Sequence, residues 1–544
     1  MKWWGWGDPG RSYPLPEPAL ELLRAEIGLS QQPRRPVALE DVRLPDPGLS
    51  ASTRDRLVAA VGPDGVRDDR RGRILHAAGK GYADLVRQRS GACERAPDAV
   101  VSPASHASVR AVLGVCAQAG VAVVPFGGGT SVVGGVEPER GGFSAVIALD
   151  LGRLDRLVAI DERSLVAVLE PGLRGPEAEE LLARRGLTLG HVPQSFEYAS
   201  LGGFAATRSV GQASTGYGRF DALVTGLRCA APAGDVEPPT VPASAAGPSI
   251  RELIVGSEGA LGVITELALR VRPRPRARRC EGWMFGCFSE GVDALRRLEQ
   301  QGIAPDVARL SDETETRVSM ALAGGGLKPA LGRLYLRARG AAAGCLVIAG
   351  WEGTQEAVRR RHLAGARLLR RAGGLAVGRA PGAAWRRSRF TAPYLRDDLL
   401  DHGVMVDTLE TATTWSNLMA LRGAVADALD RALAARGTPA LVMCHVSHLY
   451  PTGASLYFTF LARQEAERPL EQWRAAKRAA TDAIVASGGT ITHHHGVGRD
   501  HGAWLAAEIG TPGVQALAAA KAALDPAGIM NPGKLLAASG DQPV

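Results

Sequence analysis

Pro125-Phe126-Gly127-Gly128-Gly129-Thr130-Ser131 is the stretch on which the fold turns. It follows a short apolar run, Val121–Pro125, and a segment, Ser105–Ala119, in which Val109, Val112, Leu113 and Cys116 recur at helical spacing. Gly120 is placed to end that helix, and Ala99–Ser102 upstream has strand composition. Strand, helix, strand and glycine loop in this order make half of an α/β nucleotide site. A glycine run after a strand lets backbone N–H groups face an anion with no Cβ in the way. No Lys follows at the Walker position and the spacing is not a Rossmann fingerprint. Taken alone, three glycines suit a plain tight turn equally well.

The segments that follow remove that ambiguity. Pro193-Gln194-Ser195-Phe196-Glu197-Tyr198-Ala199 comes next, then Gly202-Gly203, Ala206-Thr207-Arg208-Ser209 and Tyr217-Gly218. Gly256-Ser257-Glu258-Gly259-Ala260-Leu261-Gly262-Val263-Ile264 closes the series. This order resembles the FAD domain of the vanillyl-alcohol-oxidase superfamily, the PCMH type. The resemblance implies an α+β fold, with a PCMH-type FAD-binding domain of two α/β subdomains and an α/β cap of the FAD-linked oxidase C-terminal type. It also implies that the first loop holds the FAD pyrophosphate, that the middle segments lie along the isoalloxazine and ribityl groups, and that Glu258–Ile264 contacts the adenosine half. Some members tether flavin to a His in or near the glycine loop. Phe126–Val136 contains no His, so the FAD is expected to be non-covalent.

The domain boundaries follow from composition. Residues 1–94 are Pro-rich, with short helices near Ala19–Ile27 and Ala51–Val61. The FAD domain is expected over 95–275, with strands at Leu253–Val255 and Val263–Val271 and a linker at Arg272-Pro273-Arg274-Pro275. The cap is expected over 276–510, with helices near Glu290–Gln301, Gln355–Ala372, Trp415–Arg436 and Leu470–Ala486 and a strand pair at Leu441–His448 and Ala454–Leu461. Residues 511–544 are expected to return to the FAD domain.

The cap carries a second signal. Thr492-His493-His494-His495-Gly496 follows Gly488-Gly489, and Tyr457 lies in the strand pair. If Thr490–His493 is a strand, His493 and His495 face one side and His494 the other. A His-rich surface turn is the plainer reading, and a lone strand Tyr is usually core. The combination resembles the alkyldihydroxyacetonephosphate (alkylglycerone-phosphate) synthase family of ether-lipid synthesis. That resemblance begins at Lys2-Trp3-Trp4-Gly5-Trp6-Gly7 and continues through Ala308-Arg309-Leu310-Ser311-Asp312, Tyr394-Leu395-Arg396-Asp397, Thr408-Leu409-Glu410-Thr411 and Gly453–Phe458 to the triple His.

On this match Tyr457 takes the place of the catalytic proton donor or acceptor. His493, His494 and His495 take the essential His cluster, Arg309 an arginine important for activity, and Arg396 and Thr408 the substrate contacts. The resemblance implies that the acyl group of an acyl-dihydroxyacetone phosphate is exchanged for an alkyl alcohol, with FAD oxidised over the cycle. A guanidinium fork suits the phosphate dianion. Tyr457 would act as a base if neighbouring imidazolium or Arg lowered its pKa. Two other readings stand beside this one. Ile529-Met530-Asn531-Pro532-Gly533-Lys534 resembles the wider FAD-linked oxidases and dehydrogenases of 2-hydroxy acids, and the flavin could also serve a non-catalytic protein. Metal-using relatives place a Glu where this chain has His494 or its neighbours, so no metal is expected, and strand packing is the reading for His445 and His448.

Composition limits the partners. The 544 residues have a net charge of +8, and six of the 64 basic residues are Lys. Arg is scattered rather than clustered with aromatics, which excludes nucleic acid as the expected partner. A lipid-like or phosphorylated small molecule fits the charge better. Met320–Leu336, rich in Leu, Ala and Gly, is read as a candidate for peripheral membrane contact, and a homodimer as the assembly. Seven Cys with no C-x-x-C pair indicate reduced thiols. No secretory layout opens the chain, so the cytoplasm is expected.

Acid or heat precipitation of the yellow holoprotein should therefore leave FAD in the supernatant. Gly128→Glu should abolish flavin binding, read as loss of the visible flavin spectrum.

Overall fold

Small and β-branched apolar residues dominate the strands beside the glycine loop and are buried on both faces, as parallel strands covered by helices require. The computed structural model describes residues 1–29, 34–322 and 343–536. Beyond Leu322, the Met320–Leu336 segment lies outside the described residues. Strands β1 (Val66–Arg67), β2 (Ala99–Val101), β3 (Val121–Phe126) and β4 (Ala145–Asp150) form the first sheet in the order β1-β2-β4-β3. Pairing is parallel except at β1. The helix His106–Ala119 buries Val109, Val112, Leu113 and Cys116 against it, and Gly120 ends it at φ 62°.

Residues 1–94 are not a separate extension. β1 pairs with β2, and Leu57 and Val66 join the core of the first sheet. The chain end returns to the same core: Val123 N–H donates to Ile529 O and Asn531 N–H to Val123 O, both at 2.8 Å, with Ile529 and Met530 buried.

Next come β5 (Leu157–Asp161), β6 (Val166–Leu169), β7 (Leu187–Thr188), β8 (Val224–Ala231), β9 (Gly234–Val236), β10 (Val263–Arg270) and β11 (Arg272–Pro273). Five of them make an antiparallel sheet in the order β5-β6-β10-β8-β9. Two details differ from the sequence expectation. Leu253–Val255 is not a strand; Ile250–Ile254 is a helix, with Ser249 Oγ accepting from Glu252 N–H at 3.3 Å. Three apolar residues carry no period, and the Ser cap decides the element. Arg272-Pro273 is not a free linker but β11, which pairs with β7; its Pro sits at an edge, where a missing N–H is tolerated.

The cap holds β12 (Ala277–Phe285), β13 (Val307–Ser311), β14 (Cys345–Gly353), β15 (Leu375–Gly378), β16 (Val404–Thr414), β17 (Ala440–Tyr450) and β18 (Gly453–Arg463). They form one antiparallel sheet in the order β15-β12-β14-β13-β17-β18-β16. Helices Phe288–Gln300, Gln355–Arg371, Leu418–Ala434 and Pro469–Ala486 contribute the apolar residues that bury one face. The two-residue period of strands then sorts the side chains. Leu310, Cys444, Val446, Leu456, Phe458 and Phe460 enter the core beneath the helices. Their neighbours Arg309, His445, Tyr457 and Thr459, with Thr408 of β16, line a cavity on the opposite face, towards the FAD domain. A register shift between Val446 and Leu449 interrupts the alternation, and both Ser447 and His448 reach that cavity.

The N-terminal segment belongs to the cap as well. The helix Glu17–Glu26 packs Ala19 and Leu23 on Leu399, Val404, Val406, Met443 and Leu461. Lys2 Nζ pairs with Asp397 at 3.1 Å, and Trp6 N–H donates to the same carboxylate.

Phe458 is fully buried at the centre of the cap core. Phe458→Ala should cost the cap about 3–5 kcal/mol. Urea unfolding followed by fluorescence of Trp283 and Trp351, which sit in the same core, measures the loss.

Candidate active site

One continuous cavity runs from the glycine loop to the polar face of the cap sheet and on to the N-terminal helix. At its first end, the backbone N–H groups of Gly127, Gly128, Gly129 and Thr130 have no hydrogen-bond partner among the described residues. Four free N–H groups in one loop are an anion cradle. Its walls are tight: a Cβ on Gly127 would lie 2.2 Å from Ser200 Oγ, and one on Gly128 2.0 Å from the Tyr198 carbonyl oxygen. Gly128 is thus required by the protein's own backbone before any ligand is considered. The unpaired donors fit a pyrophosphate, and the residues present fit FAD.

Most of the expected cofactor residues line this cavity: Pro125 to Ser131, Pro193, Gln194, Ser195, Ala199, Ala206, Thr207, Ser209, Glu258, Gly259, Gly262, Val263 and Ile264. Five do not. Glu197 instead pairs with Arg11 at 2.8 Å and accepts from the Tyr394 hydroxyl at 3.1 Å, and the Tyr198 hydroxyl lies 3.3 Å from that of Tyr394. Both tie the FAD domain to the cap and the N-terminal segment. Arg208 donates to the carbonyls of Val255 and Glu252. Ala260 and Leu261 are buried, Leu261 in the core of the second sheet.

At the cap end the triple His is not a strand. Residues 492–498 form an irregular loop wrapped around two buried carboxylates. Glu410, on β16 directly opposite Tyr457, accepts from the N–H groups of His493, His494 (3.1 Å) and His495 (2.8 Å) and from the Thr492 hydroxyl (2.7 Å). Glu258, held at φ 52° in the glycine turn, accepts from Val497 N–H (2.7 Å) and Gly498 N–H (2.8 Å). Three successive N–H groups pointing at one carboxylate rule out strand pairing. The rings consequently do not alternate but cluster, with centroids 5.4 Å apart for His493 and His494 and 4.7 Å for His494 and His495.

Burial acts against the charge on Glu410, yet its carboxyl is held well below the usual range, because three backbone N–H groups and the Thr492 hydroxyl donate to it. Burial pushes the Glu258 carboxyl up to about 7 despite its two N–H donors. Burial also lowers His493 and His495 to about 3, and lowers His494. The cluster is therefore neutral imidazole at neutral pH. Two sets, His448 with His493 and His494, and Glu410 with His494 and His495, bring ligand atoms within 4.8 Å of one another.

Tyr457 is stacked between His445 (centroids 4.8 Å apart) and His494 (6.0 Å), with His495 edge-on at 5.7 Å. The expectation that its neighbours lower its pKa is not met: burial pushes the phenol up to about 12. The two arginines also differ. Arg309 pairs with Glu315 and donates to Nε2 of His445 at 3.1 Å, while His445 Nδ1 donates to the same Glu315 carboxylate at 3.1 Å. Burial disfavours the Glu315 charge, but Arg309 and His445 outweigh it and bring the carboxyl down to about 2. Arg396 makes no hydrogen bond or ion pair among the described residues, and its Nε is buried without a partner. Its neighbour Asp397 is already taken by Lys2 and Trp6.

Arg309, Arg396, Thr408, Tyr457, His494 and His495 line the cavity, whereas His493 stands behind His494. Sequence spacing assigns no role to Glu410 or Glu315, and it reads His445 and His448 as packing although both line the cavity. The only signal for Glu410 and His445 is their parity with Tyr457 on the polar face of paired strands.

Comparison with known proteins agrees with this anatomy. The FAD binding domain family matches residues 97–237, and the family of FAD linked oxidases, C-terminal domain, matches residues 274–535. The alkyldihydroxyacetonephosphate synthase of Trypanosoma brucei brucei is 34% identical, over 98% of this chain and 92% of that protein. The enzyme of the same name from Dictyostelium discoideum is 32% identical, over 98% and 93%. A solved alkyldihydroxyacetonephosphate synthase superposes with a TM-score of 0.85 at 30% identity, covering 98% of both chains.

Glu410→Gln would set an amide N–H₂ against the backbone N–H groups it now accepts from. Charge-assisted bonds of this kind contribute roughly 1.5–3 kcal/mol each. The His loop should shift and turnover collapse, while flavin content stays normal because the glycine cradle is untouched. Activity and flavin absorbance measured on the same sample check this.

Proposed function

Because the chain belongs to the alkyldihydroxyacetonephosphate synthase family, we propose that it replaces the acyl group of an acyl-dihydroxyacetone phosphate by a long-chain alcohol, without net redox change. The observation that carries this reading is Arg396. It is a guanidinium that makes no ion pair among the described residues, on a cavity whose further branch is lined by Leu22, Leu23, Val318, Leu322 and Leu399. A free cation beside an apolar branch suits an amphiphile with an anionic head. FAD, when bound, supplies an electrophilic ring nitrogen to hold the reacting carbon.

The chain's own residues do the rest. Arg396 takes the phosphate in a fork. Arg309, neutralised by Glu315, fixes His445, which in turn fixes the Tyr457 ring by stacking. Tyr457 keeps its proton at neutral pH and serves first as a donor to a substrate oxygen. The neutral imidazole of His494, stacked on Tyr457, is the acceptor for the proton beside the ketone. The glycine turn, through Glu258, keeps the imidazole loop in register with the cofactor side of the cavity.

Anaerobic incubation with palmitoyl-dihydroxyacetone phosphate and hexadecanol should release palmitate and form the alkyl ether. D-lactate or D-2-hydroxyglutarate should leave the flavin oxidised, and stoichiometric bleaching by either would establish a dehydrogenase instead. Tyr457→Phe should slow the transfer by roughly 10²-fold or more. Arg396→Lys should mainly raise KM, since the charge stays and the fork is lost.

A further inference from the structure

The exchange proposed above has a proton balance of its own. The alcohol gives up its hydroxyl hydrogen, a C–O bond to the acyl oxygen breaks and one to the alcohol oxygen forms, and the acyl group departs as a carboxylate. No electrons are gained or lost, and one proton is left over in each turnover. It is released inside a cavity enclosed by the cap sheet, the FAD domain and the N-terminal helix.

Behind the cavity wall lies a chain of groups, each able both to donate and to accept. His494 lines the cavity, and its Nδ1 is 3.1 Å from Nδ1 of His493. His493 does not reach the cavity; it is buried, and its Nε2 is 2.7 Å from the Tyr450 hydroxyl. Tyr450 is the last residue of β17 and is half-buried, and its hydroxyl faces the Arg219 guanidinium. Arg219 pairs with Asp221 at 3.0 Å, and both side chains reach solvent.

Two Nδ1 atoms at 3.1 Å need one proton between them, and that requirement couples the tautomers of the two rings. When His494 holds the proton on Nδ1, its Nε2 is bare, and His493 accepts on Nδ1 and donates from Nε2 to Tyr450. When His493 holds it, His494 carries its hydrogen on Nε2, and His493 accepts from the Tyr450 hydroxyl. A structural hydrogen bond needs only one of these arrangements, whereas the geometry accommodates both. His448 stacks on His493 at 5.4 Å, but its own Nδ1 is 2.6 Å from the Ser214 hydroxyl, so it stands beside the chain rather than in it.

We propose that Tyr450, His493 and His494 form a proton exit, with Tyr450 as its outer member. This rests on the synthase reading, because that reaction supplies the proton. Once the proton it accepted from beside the ketone has returned to that carbon, His494 Nε2 takes the alcohol proton. The Nδ1 proton of His494 moves to Nδ1 of His493, the Nε2 proton of His493 moves to the Tyr450 oxygen, and the Tyr450 hydroxyl proton leaves beside Arg219 and Asp221. One proton enters and one leaves. His493 is thereby set apart from its two neighbours, with the second ring in the path and no contact with substrate.

The test is Tyr450→Phe in the FAD-loaded full chain, with palmitoyl-dihydroxyacetone phosphate and hexadecanol as substrates. The phenyl ring keeps the packing and removes the hydroxyl. Ether formation should lose at least about tenfold in kcat at unchanged KM and flavin content, and added imidazole buffer should restore it in a concentration-dependent way. Wild type should show a solvent deuterium isotope effect on kcat that Asp221→Asn alters without changing KM. A Tyr450→Phe kcat within twofold of wild type overturns the proposal, as does a loss that imidazole does not rescue or that comes with raised KM. A wild type that makes no ether removes the synthase reading, and the proposal with it.

Discussion

Two buried carboxylates hold this protein's chemistry in place. Glu410 on the cap sheet and Glu258 in the glycine turn of the FAD domain between them accept five consecutive-loop N–H groups and one hydroxyl from residues 492–498. A buried carboxylate is costly unless its lone pairs are filled, and a buried loop is costly unless its N–H groups are. Each debt settles the other. The consequence reaches further than stability, because one carboxylate comes from each domain. The imidazole loop is thus registered to the cofactor cradle and to Tyr457 at once, and no hinge between cap and FAD domain can open without unpairing one end of it.

Electrostatics separate the two arginines of the site more sharply than their position does. Both line the cavity, but Arg309 is matched by Glu315, whereas Arg396 pairs with no carboxylate among the described residues. The N-terminal Lys-Trp motif explains the difference. By occupying Asp397 with Lys2 Nζ and the Trp6 N–H, it leaves the adjacent guanidinium without a hydrogen-bonded partner among the described residues. Lys80 Nζ in turn donates to the carbonyls of Lys2 and Trp3, which keeps the motif in place. A segment remote in sequence therefore sets the charge available to a ligand at Arg396.

Much of this protein was legible before any coordinates. The glycine loop, the middle segments and the glutamate turn point to FAD because each type of residue answers a local need: free N–H groups, close backbone approach, positive φ. The long cap helices and the β17–β18 hairpin follow from period and length, since the alternation in Ala440–Arg463 can be satisfied only by a sheet with one apolar face. Tyr457 and the His triplet stand out because their residue types are rare and adjacent.

What the sequence alone determined is therefore the inventory: cofactor class, fold class, and the residues that could act. Which of them act together was decided only by tertiary structure, because it depends on atoms brought from distant strands. Local period suggested alternating His rings; three N–H groups drawn to Glu410 fold them into a cluster instead. Proximity suggested a lowered Tyr457; burial among neutral imidazoles raises it. Glu197, Tyr198 and Arg208 belong to the motif that marks the cofactor site, yet their side chains bind other parts of the chain. A motif records which residues are present along the chain, whereas a side chain's partners, solvation and charge are set by whatever the fold packs against it.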